Sequence, residues 1–534
     1  MKKTVLIILA IVVAVGVLIA TAVICANLGN DNDDIGGANA DNDGGNANDN
    51  NNGGNTDNNS NGQTHIHAFD KQKLSADYVA EEATCQKAAK YYYSCDCGEK
   101  GIQIFEYGTA SACKFENGVC KWCGIAERAG TEGLIFTLTN NGQSYMLTGY
   151  EGDAIDVYIP SVYNGKPVVN VIGYAFEENK TLESVTMGNN IKYIGSHAFA
   201  DCINLKTVKV GSDVTEIGEY AFGWCKSLES VELPNSLTLI KDNAFWMCGA
   251  LPEITIPYSV TSIGKEAFAR CDSLKSVTIP ANVVSIANAA FYWCPALESI
   301  NVDDDNPNYS SLDGNLYNKD KTTFLQYAIG KTDTSFAIPD SVTSIGYYAF
   351  AYCYNVVDLE IPNSVTFVDY YIFTEATGFK YNTKDGLNYL GNSDNPYLYL
   401  VKAANKRITT AVIDDNCKFI GDFAFSFCTS LSEVVFGEDS KLQSIGSSAF
   451  FYCGSLKTIT IPEGVTRLDA PFYACSSLTN IVLKNTEGWY ITSSRDDFNK
   501  KENGTAFDMT DSAANVVSFL ETYNYHYWYR VDNR

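Results

Sequence analysis

Histidine is almost missing from this chain: among 534 residues only His65, His67, His197 and His526 carry an imidazole. Four rings so scattered favour neither a multi-histidine metal centre nor a histidine-dependent hydrolase. Basic charge is short as well. With 38 Lys+Arg against 63 Asp+Glu the net charge is −25, which repels a phosphate backbone and argues against a nucleic-acid partner. There is no phosphate-cradling loop and no Gly-x-Ser-x-Gly elbow in a strand–turn–helix setting. The acidic run Asp303 to Asp305 has no partner carboxylate at a predictable distance. No catalytic residue can be named, and the chain is expected not to be an enzyme. Apolar residues are not scarce. At 46% they can fill a large core, which excludes disorder of the whole chain.

The amino end speaks to location. Lys2 and Lys3 precede an uncharged apolar run of twenty residues, 5–24. A helix rising about 1.5 Å per residue would cross a hydrocarbon core of about 30 Å with that length. The lysines stay on the cytoplasmic side, so residues 1–26 are expected to be a signal anchor or transmembrane helix in contact with the membrane. The result is a single-pass membrane protein with an extracellular C-terminal region. Cleavage after Ala20-Thr21-Ala22 would release it as a secreted protein instead. Lipid attachment at Cys25 is disfavoured by the bulky Ile24. Residues 27–64, almost all Asn, Asp and Gly, are expected to form a disordered linker.

Residues 65–130 read as a small Cys-rich module with six cysteines: Cys85, Cys95, Cys97, Cys113, Cys120 and Cys123. Its halves echo each other. Cys95-Asp96-Cys97-Gly98 is answered by Cys120-Lys121-Trp122-Cys123-Gly124, and paired knuckles of this kind can hold a structural zinc. An even cysteine count in a short exported module equally suits disulfides. Both remain open, and either would stabilise a domain too small to hold itself together. No cofactor is expected for function.

One period governs the rest. Phe176, Phe199, Phe222, Phe245, Phe268 and Phe291 lie 23 residues apart, each after an Ala. Cys202, Cys225, Cys248, Cys271 and Cys294 follow three residues behind five of them. A fixed period in this range marks a solenoid. In one unit Leu274, Val277 and Ile279 face inward from a strand that Pro280 ends. Val284 and Ile286 are expected to point a second extended segment inward, and Ala290-Phe291-Tyr292-Trp293-Cys294 to form a single helical turn. No unit closes a core alone, so stacked units are expected to share one continuous core.

These residues closely resemble the BspA-type leucine-rich repeat family, whose unit reads Leu-x-x-Ile-x-Ile-Pro, Val-x-x-Ile-Gly, Ala-Phe-x-x-Cys-x-x-Leu. The resemblance implies a leucine-rich repeat solenoid of short β-strands. It also implies a bacterial cell-surface protein that binds other proteins, host matrix or cells, without catalysis. The repeats are expected over 131–486, with hairpin insertions near 303–336 and 374–412, a front lid over 134–159 and a C-terminal cap at 487–534.

The expected binding surface is aromatic. The two positions between Phe and Cys hold Trp224, Trp246, Tyr292, Trp293, Tyr352, Phe427, Phe451 and Tyr452. Rings of this kind anchor protein interfaces and stack on sugars, so the partner is a macromolecular ligand, protein or glycan. They could instead pack on one another as filling. On the strands, Lys209, Glu232, Thr255 and Thr278 face solvent without one sign dominating. The ladder cysteines read as small buried residues. Cys417 lies off the ladder, and His197 is expected to be exposed. The alternative to recognition is a structural spacer of the cell envelope.

Overall fold

The computed structural model describes residues 56–58 and 64–66, residues 71–121 with short gaps, 129–493, and 504–531 except 523–524. The chain divides into two units between His67 and Ala68. In the first, Thr56–Asn58 pairs antiparallel with Thr64–Ile66, Asp57 opposite His65. The apolar run at 5–24 lies outside the described residues, as does most of the expected linker. Among the described residues no helix is long and apolar enough to cross a membrane.

The second unit opens with an antiparallel sheet of Lys71–Gln72, Val79–Glu81, Ala89–Ser94 and Lys100–Tyr107. Its small core is Ala89, Tyr91 and Phe105, and Tyr91 meets the edge of Tyr258 from the coils that follow. Cys85, Cys95, Cys97, Cys113 and Cys123 lie outside the described residues; of Cys120 only the backbone, paired with Phe115, is described.

From there the chain is a solenoid. Ser276–Ile279 buries Val277 and Ile279 and exposes Ser276 and Thr278, as a period of two requires. It pairs in parallel with Glu253–Ile254 on one side and Ser299–Val302 on the other. The second strand, Ser285–Ile286, continues a parallel ladder in which Ile194, Ile217, Ile240, Ile263 and Ile286 stand side by side. One residue on this side is corrected. Val284 is 55% exposed, and Val283 is the buried one. The chain turns before the strand begins, so alternation cannot be counted backwards through that turn.

The Ala-Phe-x-x-Cys segment is not a helical turn. Around Phe222, Tyr220 and Trp224 have φ of 51° and 61° in the left-handed region, and the same two positions repeat in coil after coil. These residues aim alternate N–H groups sideways. Phe222 N donates to Ala244 O at 2.8 Å and Trp224 N to Trp246 O at 2.7 Å in the next coil. A helix would have kept those bonds within the segment. The spacing of Phe and Cys imitates a helical face, but the hydrogen bonds run along the stack. Coils also approach closely at glycine: a Cβ on Gly195 would lie 2.3 Å from Gly173 N.

The phenylalanines form a buried column. Phe199, Phe222, Phe245 and Phe268 sit 5.3 Å apart between ring centroids, planes within 10° of parallel. Each ladder thiol reaches back one coil: Cys225 Sγ donates to Phe199 O at 3.2 Å, Cys248 to Phe222 O at 3.2 Å and Cys271 to Phe245 O at 3.3 Å. The cysteine is thus a small core residue that also satisfies a buried carbonyl. Burial holds the Cys225, Cys248 and Cys271 thiols well above their ordinary pKa, so the donor proton stays in place. Cys417 is buried as well and donates to Phe419 O at 3.3 Å.

Two meanders interrupt the coils. Tyr309–Leu312, Asn315–Asn318 and Thr323–Gln326 run antiparallel, and the last rejoins the parallel ladder at Ser344–Ile345. Asn382–Lys384, Leu387–Leu390 and Tyr399–Ala403 repeat this and rejoin at Phe419–Ile420. Each meander inserts bulky side chains (Tyr317, Phe324 and Tyr327 in the first, Tyr389 and Tyr399 in the second) and interrupts the Phe column. The expectation of one continuous core is corrected: the buried side chains fall into three clusters that change over at the meanders.

Both ends are covered. The hairpin of Leu134–Leu138 and Tyr145–Tyr150 pairs onto the first coil strand, Lys166–Val171. At the far end Tyr527–Arg530 pairs antiparallel with Arg467–Asp469 and with Trp489–Thr492, which removes an open edge. A short helix, Ser512–Val517, packs there with Asp511 as its N-cap, accepting from Ala513 N and Ala514 N.

Candidate recognition surface

The left-handed residues put two columns of side chains on the outside of the turns. One, two residues before each Phe, includes Tyr174, His197, Tyr220, Tyr348, Tyr371 and Phe423, with Asn243, Glu266 and Ala289 between Tyr220 and Tyr348. The other, two residues after, includes Trp224, Arg270, Trp293, Tyr352, Phe427 and Tyr452. The position between that Phe and the second column adds Trp246 and Tyr292.

These rings touch in sequence along the stack. Tyr174, His197 and Tyr220 lie face to face at 5.0 and 4.9 Å. Tyr220 stacks on Trp224 at 5.2 Å, and Trp224 meets Trp246 at 4.7 Å. The Arg270 guanidinium then bridges Trp246 and Trp293, 5.7 and 3.9 Å from their centroids. Trp293 stacks on Tyr352 at 3.9 Å, Tyr292 on Tyr348 at 4.3 Å, and Tyr348 and Tyr371 carry the strip to Phe423. A second strip joins Phe427, Tyr452 and Phe451.

The sequence placed Trp224, Trp246, Tyr292, Trp293 and Tyr452 at or near the surface, and they are half-buried or, for Tyr452, 48% exposed. Tyr352 is corrected, being only 9% exposed with one face covered by Trp293. His197 is corrected too. It is half-buried between two tyrosines, and its Nδ1 has no hydrogen-bond partner. The column before the Phe and Arg270 escaped sequence reading. The signal was present, since Tyr174, His197 and Tyr220 recur at the same 23-residue interval.

The strand face is different in character. Lys209 pairs with Glu232 at 2.6 Å across one register step, and Lys206 with Glu183 at 2.8 Å. These two cations are neutralised from one coil to the next.

A buried polar group ties distant coils together. Arg467 Nε donates to Asp469 Oδ2 at 2.9 Å and its Nη2 to Val368 O at 2.5 Å, while Tyr370 Oη donates to Asp469 Oδ1 at 2.9 Å. Asp422 accepts from the N–H groups of Tyr371 and Ser447. Burial pushes Asp422 up to about 7, against the Tyr371 N–H, and Asp469 up to about 6, against Arg467. Every member is hydrogen-bonded within the protein, so the group serves as a joint between coils. Among the described residues no group of three or more His, Cys, Asp or Glu could hold a metal, and the expected ligands Cys95, Cys97 and Cys123 are outside them.

A family model described as BspA type leucine rich repeat region, in six copies, matches residues 169–311, 327–393 and 403–515, over half of the chain. No curated protein matches significantly. Solved structures that resemble the chain include a leucine-rich repeat protein from Eubacterium ventriosum, 24% identical, covering 66% of this chain and 84% of that one with a TM-score of 0.40. A leucine rich cell surface protein from Faecalibacterium prausnitzii is 24% identical, with coverage of 72% and 99% and a TM-score of 0.39. The pneumococcal vaccine antigen PcpA is 18% identical, with coverage of 67% and 98% and a TM-score of 0.41. Similarity at this level transfers no ligand from those proteins to this one.

Proposed function

The chain belongs to the BspA-type leucine-rich repeat family, and from that premise we propose that it is a recognition protein whose turn face binds a macromolecular ligand at the cell surface. Proteins built from leucine-rich repeats are typically non-enzymatic scaffolds that bind other macromolecules, which supports the reading. The observation that carries it is the aromatic strip from Tyr174 to Phe423. From Tyr174 to Trp246 the Phe column already fills the core and these outer rings are not needed to close it, while Tyr292, Trp293, Tyr348 and Tyr352 also pack on the core of the middle coils. Large half-buried rings on a regular backbone are low-entropy anchors for a partner. Residues 5–24 fit the same proposal as a membrane anchor, with the solenoid on the extracellular side and residues 27–64 as its tether.

The test is an array of matrix proteins and glycans probed with the full chain and with its Trp246→Ala and Trp293→Ala variants. At least one ligand is expected to bind, and each variant to weaken it about tenfold or more, the size of an interface anchor. A full set of hits unchanged by either substitution would leave the rings as packing and favour the envelope spacer.

A further inference from the structure

Arg270 stands out on the turn face because two rings hold its guanidinium, and the carboxylate that acts on it electrostatically, Asp272, is beyond ion-pair distance. Its guanidinium lies 3.9 Å from the Trp293 centroid and 5.7 Å from that of Trp246, so two rings hold a long side chain in one place. Among the described residues no carboxylate lies within ion-pair distance of it, and its guanidinium has Met247 Sδ as a neighbour at 4.0 Å. Lys192 and Lys241, by contrast, are paired, with Asp213 at 2.8 Å and Glu216 at 2.5 Å. Stacking on a ring uses the faces of a guanidinium and leaves its edge, with the N–H donors, available.

The edge borders a basin. A depression of about 400 Å³ is lined by Arg270, Lys226, Met247, Gly249, Asp272 and Ser273. Such a volume suits one or two sugar rings. Lys226 is exposed and, among the described residues, likewise has no carboxylate within ion-pair distance, so two cationic residues line a space in a protein of net charge −25.

The chemistry around the basin is mixed in a particular way. Arg270 and Lys226 donate to an anion, and a planar guanidinium edge matches a carboxylate through two parallel bonds. Met247 and Ala250 line the basin and offer apolar contact of the kind the C–H face of a sugar ring uses. Ser273 and Asp272 offer oxygens to hydroxyl groups. Asp272 also disfavours a more highly charged anion: a dianionic phosphate would meet its repulsion twice over, and a monoanionic carboxylate once. At about 0.15 M salt the Debye length is about 8 Å, so the distant acidic surface is screened and the local cations decide.

We infer that the Arg270 basin is a binding site for a carboxylate-bearing saccharide, a uronate unit of an acidic glycan. This rests on the turn face being the recognition surface, and it adds the ligand's chemical class. Arg270 and Lys226 hold the carboxylate, and Met247 with Ala250 supports the ring. The half-buried Trp224, Trp246 and Trp293 beside the basin give neighbouring sugars further contact.

The experiment is calorimetric titration of the full chain at 0.15 M salt with tetragalacturonate, with its methyl ester and with a hexaglutamate peptide. Tetragalacturonate is expected to bind at least about tenfold more tightly than the ester, since charge-assisted bonds are lost on esterification. Arg270→Gln is expected to weaken the acid about tenfold or more and to abolish the difference between acid and ester, with the thermal midpoint unchanged. Lys226→Gln, an exposed position, repeats the comparison if Arg270→Gln fails to fold. Equal binding of acid and ester, undiminished discrimination in both variants, or tighter binding of hexaglutamate would overturn the inference. So would absence of saccharide binding. In each of those cases the array result with Trp246→Ala and Trp293→Ala still decides the wider recognition reading by itself.

Discussion

A left-handed backbone at a residue with a side chain costs about 1–2 kcal/mol, and this chain accepts that cost twice in coil after coil. Glycine would avoid it, yet the positions carry Tyr220, Trp224, Trp293 and Tyr348. An aromatic pair returns about 0.5–1.5 kcal/mol, so strain and stacking nearly cancel. The buried column is another matter, because Phe222 is fully enclosed between Phe199 and Phe245. Phe222→Ala is therefore expected to destabilise by about 3–5 kcal/mol. Tyr220→Gly is expected to stay within about 1 kcal/mol of the parent, because it loses a stack and a strain together. Urea midpoints of the two variants check this. A large loss from Tyr220→Gly would mean that the outer rings support the fold and are not free for a partner.

At the scale of elements, the joint between coils makes stability depend on pH. Asp422 and Asp469 have folded pKa values near 7 and 6, raised by burial above the ordinary carboxylate range. The folded chain thus keeps protons that the unfolded chain has already released. Stability contributed by these groups is full below about pH 4 and is lost as pH rises through the folded values. Asp422→Asn is expected to flatten the fall in urea midpoint between pH 5 and pH 8, by on the order of 1–2 kcal/mol. An unchanged slope would place the titration elsewhere. This joint was invisible in the sequence, since Tyr370 and Asp469 stand 99 residues apart and only the packing of separate coils brings them together. The strands and the Phe and Cys columns were legible because every coil repeats them in phase. Val284 and the helical turn were misread for local reasons. Alternation was carried through a turn, and a helix-like spacing concealed bonds that run to the next coil.

At the scale of the whole molecule, repetition separates two tasks. Inward positions recur as Leu, Val, Ile, Phe and Cys and hold the stack together, whatever stands outside. Outward positions are free to vary, and on the turn face they gather rings and the ring-held Arg270, while on the strand face Lys206 and Lys209 pair with carboxylates of the neighbouring coils. Recognition by the turn face is the central claim, and a footprint tests it most directly. Hydrogen exchange of the full chain would be followed with and without its tightest array ligand. Protection is expected in peptides covering 220–226, 243–250 and 266–273, with strands such as Ser276–Ile279 unchanged. Protection confined to the strand face, or to the sheet at 71–107, would contradict the claim.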